Sequence, residues 1–262
     1  MEIIDLSPQY EKLYFCCLED WSDEMAESGN HKACWYDNMK DKGLRVKLAK
    51  NDKDEIVGMI QYAPSDYTFI EGKGIYLVLC IWVHGYKNKG VGDWRKKGMG
   101  KALLRAAEDD VRALGGKGLA VWGLAIPVFM RASWFKKQGY TVVDKDSMIR
   151  LLWKPFTEDA LPPTLLKLTK KPEKIEGKVN VSYILNGWCP AKNIVYERAK
   201  RIAEEFPEKV VFYTIDSFDK EVMLEWGISD ALFIDGKQVR TGPPPSFAKL
   251  QKKIAKRVKK LG

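Results

Sequence analysis

The sequence predicts an α/β (α+β) chain of two domains, a larger one built on a central sheet and a smaller α/β one. Three observations predict it. The unbroken apolar run Ile75–Val83 (IYLVLCIWV) reads as a central strand covered on both faces. A glycine-rich basic stretch and an amphipathic helix near residues 99–114 follow it, the strand–loop–helix order of an anion-binding unit. Residues 157–178, TEDALPPTLLKLTKKPEKIEGK, mix prolines with charges and have no clean period. The expected boundaries are therefore a domain over residues 1–156, a linker over 157–178 with a docking segment around Leu165–Leu168, and a domain over 179–262.

The elements follow in order. Residues 8–20 and 21–40 read as helical, with Trp, Met and Cys among charges. LRVKLA at Leu44–Ala49 alternates with period two, and Glu55–Gln61 is a second strand, separated from it by the turn cluster Asn51-Asp52-Lys53-Asp54. In the helix near 99–114, Ala102, Leu103, Ala106, Ala107, Val111 and Leu114 form one apolar stripe. Lys101, Arg105, Glu108, Asp109 and Arg112 fall on the other faces, and Gly115-Gly116 ends the helix. A strand over Leu119–Ile126, a helix over Val128–Gln138 and strands over Thr141–Val143 and Met148–Trp153 complete the first domain. The second reads as strand Val179–Leu185, helix Pro190–Glu205, strand Lys209–Ile215, a helix near 218–226, and strands Ala231–Ile234 and Gln238–Val239. Those last two flank Asp235-Gly236, a hairpin signal. The final segment Ser246–Leu261 places Phe247, Leu250, Ile254, Val258 and Leu261 on one side, as a docked helix does.

Bulk properties narrow the function. The 262 residues are 45% apolar and 30% charged, which is globular composition. No apolar run approaches the ~20 residues that span a bilayer. MEIIDLSPQY lacks the regions of a signal peptide, so a cytoplasmic location without membrane attachment is expected. Five cysteines, an odd number with no Cys-x-x-Cys, and two histidines do not make a disulfide framework or a zinc site. The net charge of +9 suits an anionic ligand such as a nucleotide, and no nucleic-acid-binding motif is visible.

Two look-alike segments compete for that anion: Lys87-Asn-Lys-Gly-Val-Gly92 and Arg95-Lys-Lys-Gly-Met-Gly100. A phosphate cradle needs glycines, inward N–H groups and a helix that begins there. Asp93-Trp94-Arg95 after the first copy starts no helix, and Asp93 opposes an anion. KALLRAAEDDVRAL follows the second. The cradle is therefore assigned to Arg95, Lys96, Lys97, Gly98, Met99, Gly100 and Lys101, and the first copy becomes an insertion over His84–Trp94. The segment lacks the Lys-Ser/Thr of an ATP-type P-loop and is too short for G-x-G-x-x-G.

Arg-x-x-Gly-x-Gly followed by Lys-Ala-Leu-Leu resembles the acetyl-CoA pyrophosphate loop of GNAT-type N-acetyltransferases. Ala132-Ser-Trp-Phe-Lys-Lys-Gln-Gly-Tyr140 resembles that family's late helix and its ending. With the second domain included, the chain is similar to YoaP-like acetyltransferases, which join a GNAT module with a central mixed sheet to a small thioredoxin-like domain. The resemblance implies acetyl-CoA as co-substrate and a small-molecule or peptide amine as acceptor. It implies that Ile75–Val83 parts from its neighbour to admit the pantetheine arm, with Cys80, Ile81, Trp82 and Val83 nearest the thioester. It also marks departures: the His84–Trp94 insertion displaces the loop from its strand, the tyrosine that often donates a proton in the family falls at Phe135, and its asparagine falls at Val128.

Candidates for proton transfer are His84 as base, Glu71 and Asp66 as relays before the central strand, and Tyr86 or Tyr140 as acid. His84 also reads as a histidine that positions the insertion, Glu71 and Asp66 as exposed loop acids, and Tyr140 as core. Cys80 reads as packing within a buried strand. Trp35, Trp82, Trp94, Trp122 and Trp134 read mainly as packing, with an aromatic acceptor pocket as the alternative.

In the second domain, Gly187-Trp188-Cys189-Pro190 places Cys189 at a helix N-terminus, where a thiolate is stabilised. The second cysteine of a dithiol motif is Lys192. Two further readings therefore stand beside the acetyltransferase: a monothiol oxidoreductase with a coenzyme-A-binding domain, and a non-catalytic acyl-CoA sensor.

Overall fold

A computed structural model describes residues 1–240 and 242–261. Its elements are β1 (Glu2–Asp5), α1 (Glu11–Phe15), α2 (Asp23–Ala26), α3 (His31–Met39), β2 (Arg45–Lys50), β3 (Ile56–Pro64), β4 (Ile70–Glu71), β5 (Ile75–Val83), α4 (Met99–Ala113), β6 (Gly118–Leu124), α5 (Ala132–Lys136), β7 (Thr141–Asp146), β8 (Ile149–Pro155), β9 (Thr164–Leu165), β10 (Val179–Leu185), α6 (Pro190–Glu204), β11 (Val210–Asp216), α7 (Lys220–Trp226), β12 (Ala231–Ile234), β13 (Lys237–Val239) and α8 (Phe247–Val258). Two units form: Met1–Trp21 with Asn38–Leu166, and Ser22–Asp37 with Lys167–Gly262.

In the first unit seven strands form one mixed sheet in the order β1-β2-β3-β5-β6-β8-β7. β5 and β6 are parallel, as a crossover through α4 requires, and the other neighbours are antiparallel. The apolar run of β5 occupies the middle of this sheet, and Ile75, Leu77, Val78 and Leu79 are buried. α4 lies on one face through Met99, Leu103, Leu104, Ala107 and Val111, which share a core with Val57, Ile60, Tyr62, Val78, Leu119 and Val121. The stripe read from sequence is rotated slightly. Leu114 is exposed, and Glu108 is buried because it accepts from Tyr140 Oη at 3.0 Å and from Lys154 Nζ at 3.0 Å.

A second polar tie fixes α4 to the sheet. Asp110 accepts from Arg45 Nε and Nη2, both at 2.9 Å, and from Tyr62 Oη at 2.6 Å. Burial pushes the Asp110 carboxyl up, but Arg45, Tyr62 and Lys47 outweigh it and hold the carboxyl below its ordinary value. Asp110→Ala removes the anion and strands Arg45 and the tyrosine hydroxyl, so a loss of about 2–3 kcal/mol in unfolding free energy is expected by denaturant titration. Because the folded value is depressed, this contribution is present above the unfolded carboxylate range near ~4 and is lost as pH falls through the folded value. The gap between Asp110→Ala and the parent should close in acid.

Several boundaries differ from the sequence reading. Residues 8–40 hold three short helices rather than two long ones, and α5 begins at Ala132 rather than Val128. β1, not anticipated, pairs with β2 at the sheet edge. The stretch read as a linker is bound along its length: β9 pairs with β4, and Thr169 donates its N–H to Trp226 and its hydroxyl to Glu225.

The second unit has a four-stranded sheet in the order β11-β10-β12-β13. β10 is parallel to β11 and antiparallel to β12, and its seven residues are all buried. α6 and α8 contribute Val195, Ala199, Ile202, Leu250, Ile254 and Val258 to its core. Ser22–Asp37, placed by sequence in the first domain, belongs here. Arg198 of α6 donates to Glu24 at 3.0 Å and Glu27 at 2.7 Å, and His31 Nε2 lies 2.6 Å from Glu197. Gly187, at φ +99°, passes so close to the His31 carbonyl that a Cβ would lie 3.0 Å from it.

Candidate active site

The parallel pairing that joins β5 to β6 runs only from Ile75↔Gly118 to Val78↔Val121. Beyond it both strands continue, to Val83 and Leu124, without pairing to one another. The cause lies on the other side of β5. Its register with β3 shifts between Gln61↔Cys80 and Tyr62↔Val78, so Leu79 is an extra residue. Such a bulge bends its strand and raises the local twist, which swings Cys80–Val83 away from β6. The indole of Trp122 fills the apex of the resulting wedge by donating to the Leu79 carbonyl at 2.8 Å.

α4 begins beside the open end of the wedge. Gly98 is its N-cap, at φ +86°, and no side chain caps the helix. The first internal bond runs from Ala102 N–H to the Gly98 carbonyl, which leaves the amides of Met99, Gly100 and Lys101 outside the ladder. Met99 is buried and anchors the turn, and its first turn contains no carboxylate. A Cβ on Gly100 would lie 3.8 Å from Val83 Cγ2, so helix start and strand end are neighbours. Arg95, Lys96 and Lys97 are exposed before it. The Arg95 guanidinium is held by Asp93 through Nε at 2.9 Å and Nη2 at 2.7 Å, and Lys97 Nζ lies 4.0 Å from the centre of the Trp94 ring. The surplus positive charge at the loop therefore comes from Lys96, Lys97 and Lys101.

The His84–Trp94 insertion does not displace the loop from its strand. Trp94 N–H donates to the His84 carbonyl at 2.8 Å, so the insertion leaves and returns at one point and the chain enters Arg95 directly from the end of β5.

His84 pins that insertion, the place its second reading gave it. It is fully buried. Nδ1 lies 2.6 Å from the Gly92 carbonyl, and Nε2 accepts from Trp21 Nε1 at 3.2 Å. Only the neutral ring protonated at Nδ1 serves both partners, and a proton on Nε2 would face the indole N–H. His84→Ala leaves the Gly92 carbonyl and the Trp21 indole without it, so a loss of about 3 kcal/mol in unfolding free energy is expected by denaturant titration.

Glu71 and Asp66 lie at the other end of β5. Glu71, exposed in β4 opposite Thr164, precedes the start of β5, and Asp66 follows the end of β3. The Gly74 carbonyl accepts from Lys117, just before β6, so both acids lie at the closed end of the wedge. At ~3.3 Å per residue, the length of β5 puts roughly 26 Å between that end and Val83. Tyr140 is a core residue.

Tyr86 does reach the open end. It is 39% exposed and packs edge-on against Trp21 at 5.0 Å, with Trp82 at 6.2 Å. Phe129, which sequence reasoning passed over, bridges Trp82 at 6.0 Å and Trp122 at 6.1 Å. Trp82, Tyr86, Phe129 and Trp122 thus wall the mouth with aromatic faces. Two buried donors in this region, Trp82 Nε1 and Gln61 Nε2, have no partner among the described residues. The pairings Gln61↔Cys80 and Met59↔Trp82 put Gln61 and Trp82 on one face of the sheet. Phe135 is buried and cannot donate a proton, and Trp35 packs in the second unit.

The sequence profile of the acetyltransferase (GNAT) family matches residues 6–140, just over half of the chain. The chain belongs to the GNAT acetyltransferase family. This GNAT chain resembles several solved structures. One is the PaiA N-acetyltransferase of Thermoplasma acidophilum in complex with coenzyme A, 18% identical, covering 59% of this chain and 98% of that one with a TM-score of 0.44. Another is a GNAT family acetyltransferase of Staphylococcus aureus Mu50, 17% identical, covering 60% and 99% with a TM-score of 0.44. A third is a GNAT family acetyltransferase of Brucella melitensis in complex with acetyl-CoA, 17% identical, covering 62% and 90% with a TM-score of 0.42. No curated protein sequence matches the chain. No helix among the described residues is long and apolar enough to cross a membrane.

Proposed function

We propose that the first unit transfers the acetyl group of acetyl-CoA to a primary amine by direct attack. The observation that carries this reading is the bulge-driven parting of β5 from β6 beside the unladdered amides of α4. The diphosphate of the co-substrate lies on the N–H groups of Met99, Gly100 and Lys101, where the helix dipole favours an anion. Its pantetheine arm enters the wedge along Ile81, Trp82 and Val83, replacing the strand partner that β5 lacks there. The amine attacks the thioester carbon, and backbone N–H groups of this strand stabilise the oxyanion. The carbon–sulfur bond then breaks, and the leaving thiolate takes its proton from the Tyr86 hydroxyl. The nitrogen gives up its proton to solvent at the open mouth, and the Tyr86 phenolate regains one from the same solvent.

The aromatic walls favour a planar or cationic amine, since ring faces attract an ammonium. Trp82 Nε1 and Gln61 Nε2 supply unused donors for a carbonyl on the acceptor or the acyl group. Coenzyme A release from acetyl-CoA, followed with a thiol reagent across arylalkylamines, polyamines and peptide N-termini, tests the reading. Amine-dependent release is the expected result. Acetyl-CoA binding without release in any arm would instead favour a sensor, and Cys189-dependent redox activity an oxidoreductase.

For the second unit we infer a YoaP-like, thioredoxin-like domain. The order β11-β10-β12-β13, with α6 after β10 and α8 last, supports it. Cys189 is the N-cap of α6 and Pro190 its first residue. Beneath this turn Asp230 accepts from Trp188 Nε1 at 3.1 Å and Asn186 N–H at 3.2 Å, and burial pushes its carboxyl up against the opposing pull of Lys192. With Lys192 in place of a second cysteine, the unit docks or presents a substrate, or acts as a monothiol. Slow alkylation of Cys189 at neutral pH, measured by intact mass, is expected of the docking role, and rapid alkylation of the monothiol one.

A further inference from the structure

We propose that the second unit carries a binding site for a small oligophosphate, separate from the acetyl-CoA wedge. A cavity of about 700 Å³ opens between the segment leading into β10, the β12–β13 hairpin and the C-terminal half of α8. Lys174, Lys178, Lys237, Lys253, Lys256, Lys260 and Arg257 line it. The volume is that of a small-molecule site.

Charge pairing is uneven. Arg257 is paired with Asp235 at 2.6 Å, and elsewhere in this unit Arg198, Arg201 and Lys170 are paired with glutamates. Lys178 donates to the Glu208 carbonyl, and among the described residues none of the six lysines of the cavity has an ion pair, although Glu176 and Asp235 also line it. Lys253 and Lys256 stand three residues apart on α8, a spacing that makes like charges repel, and Lys260 follows in the turn after the helix. A helix gains nothing in stability from that arrangement, whereas a multivalent anion between the ammonium groups reverses the sign of the interaction.

The scaffold is preorganised. Asn180 donates to the carbonyls of Ile175 and Lys178, both at 2.9 Å, and accepts from Ile175 N–H at 2.8 Å. Its own N–H donates to Asp235 at 2.9 Å, and Asp235 N–H returns to the Asn180 carbonyl at 2.7 Å. This lattice fixes the segment bearing Lys174 to the hairpin bearing Lys237. The last carbonyls of α8, at Ala255, Arg257 and Val258, accept from Lys259, Lys260 and Leu261, which blunts the negative end of the helix.

The ligand class is set by the count of charges. A single carboxylate would leave most of the lysines unmatched, whereas two or three linked phosphates match them. The apolar lining is aliphatic, from Ile175, Val179 and Leu261, and offers no ring for a base to stack upon. The site therefore reads phosphates rather than a nucleic-acid strand.

Calorimetric titration of the full chain with inorganic tripolyphosphate at low salt tests this, with and without saturating coenzyme A. One site per chain is expected, independent of coenzyme A, and weakened about tenfold or more in Lys253→Glu/Lys256→Glu. The milder Lys253→Gln/Lys256→Gln pair, with an unfolding midpoint matching the parent, should show an intermediate loss. Absence of binding, displacement by coenzyme A, or unchanged affinity in both variants would overturn the proposal. So would tighter binding of a twenty-nucleotide RNA than of tripolyphosphate at the same site, which would make the surface a strand-binding one.

Discussion

Replacing Gly98 with valine is expected to weaken coenzyme A binding about ten- to a hundredfold, while the same replacement at Gly92 changes it by about twofold or less. The pair is a matched comparison. Both glycines belong to a basic Gly-x-Gly segment, both hold a left-handed backbone, at φ +86° and +84°, and at both a Cβ would meet nothing within 4 Å. The strain of placing a β-branched residue in that region is therefore similar, about 1–2 kcal/mol. The consequences differ because the two glycines lead into different structure. Gly98 is the N-cap of a fifteen-residue helix whose first amides have no internal partner. Relief of the strain there turns these amides away from an anion. Gly92 leads into Asp93, and its carbonyl only receives the imidazole of His84. Calorimetry on both variants, with unfolding midpoints as the control, measures the difference. Equal losses of affinity would mean that the two segments act together.

Tyr86→Phe is expected to lower kcat about 10²-fold or more while leaving coenzyme A affinity close to the parent. The hydroxyl is the only part removed, and the ring contacts with Trp21 and Trp82 that place it at the mouth remain. Steady-state kinetics separates its two conceivable roles. A proton donor acts on the breaking carbon–sulfur bond and appears in kcat. A wall of the acceptor pocket appears in KM alone.

How much of this was legible in the sequence depended on whether the signal was local. The β5 run was legible residue for residue, because a strand buried on both faces is apolar throughout. That a helix starts at Gly98 and not at Gly92 was legible as well, because only one segment precedes an apolar stripe of helical period. Long-range polar pairing was not. Glu108 reads as a surface residue until Tyr140 and Lys154 meet it from other elements. The engagement of His84 depends on Trp21, sixty-three residues away, and on a loop carbonyl, and neither leaves a trace in spacing. Phe129 looked like one more helical residue, but α5 starts later and leaves it in a loop at the wedge mouth. The bulge at Leu79 had no marker, since no glycine sits there. Ser22–Asp37 joined the second unit through charges that any solvent-exposed helix could carry.

An amide correlation spectrum of the nitrogen-15-labelled chain, recorded during titration with coenzyme A, reads the proposed cradle atom by atom. The largest shifts should fall on the N–H groups of Met99, Gly100 and Lys101 and on Ile81–Val83, with the Lys87–Gly92 segment nearly still. Shifts concentrated at Lys87–Gly92, or a saturable response that spares the start of α4 altogether, would contradict it.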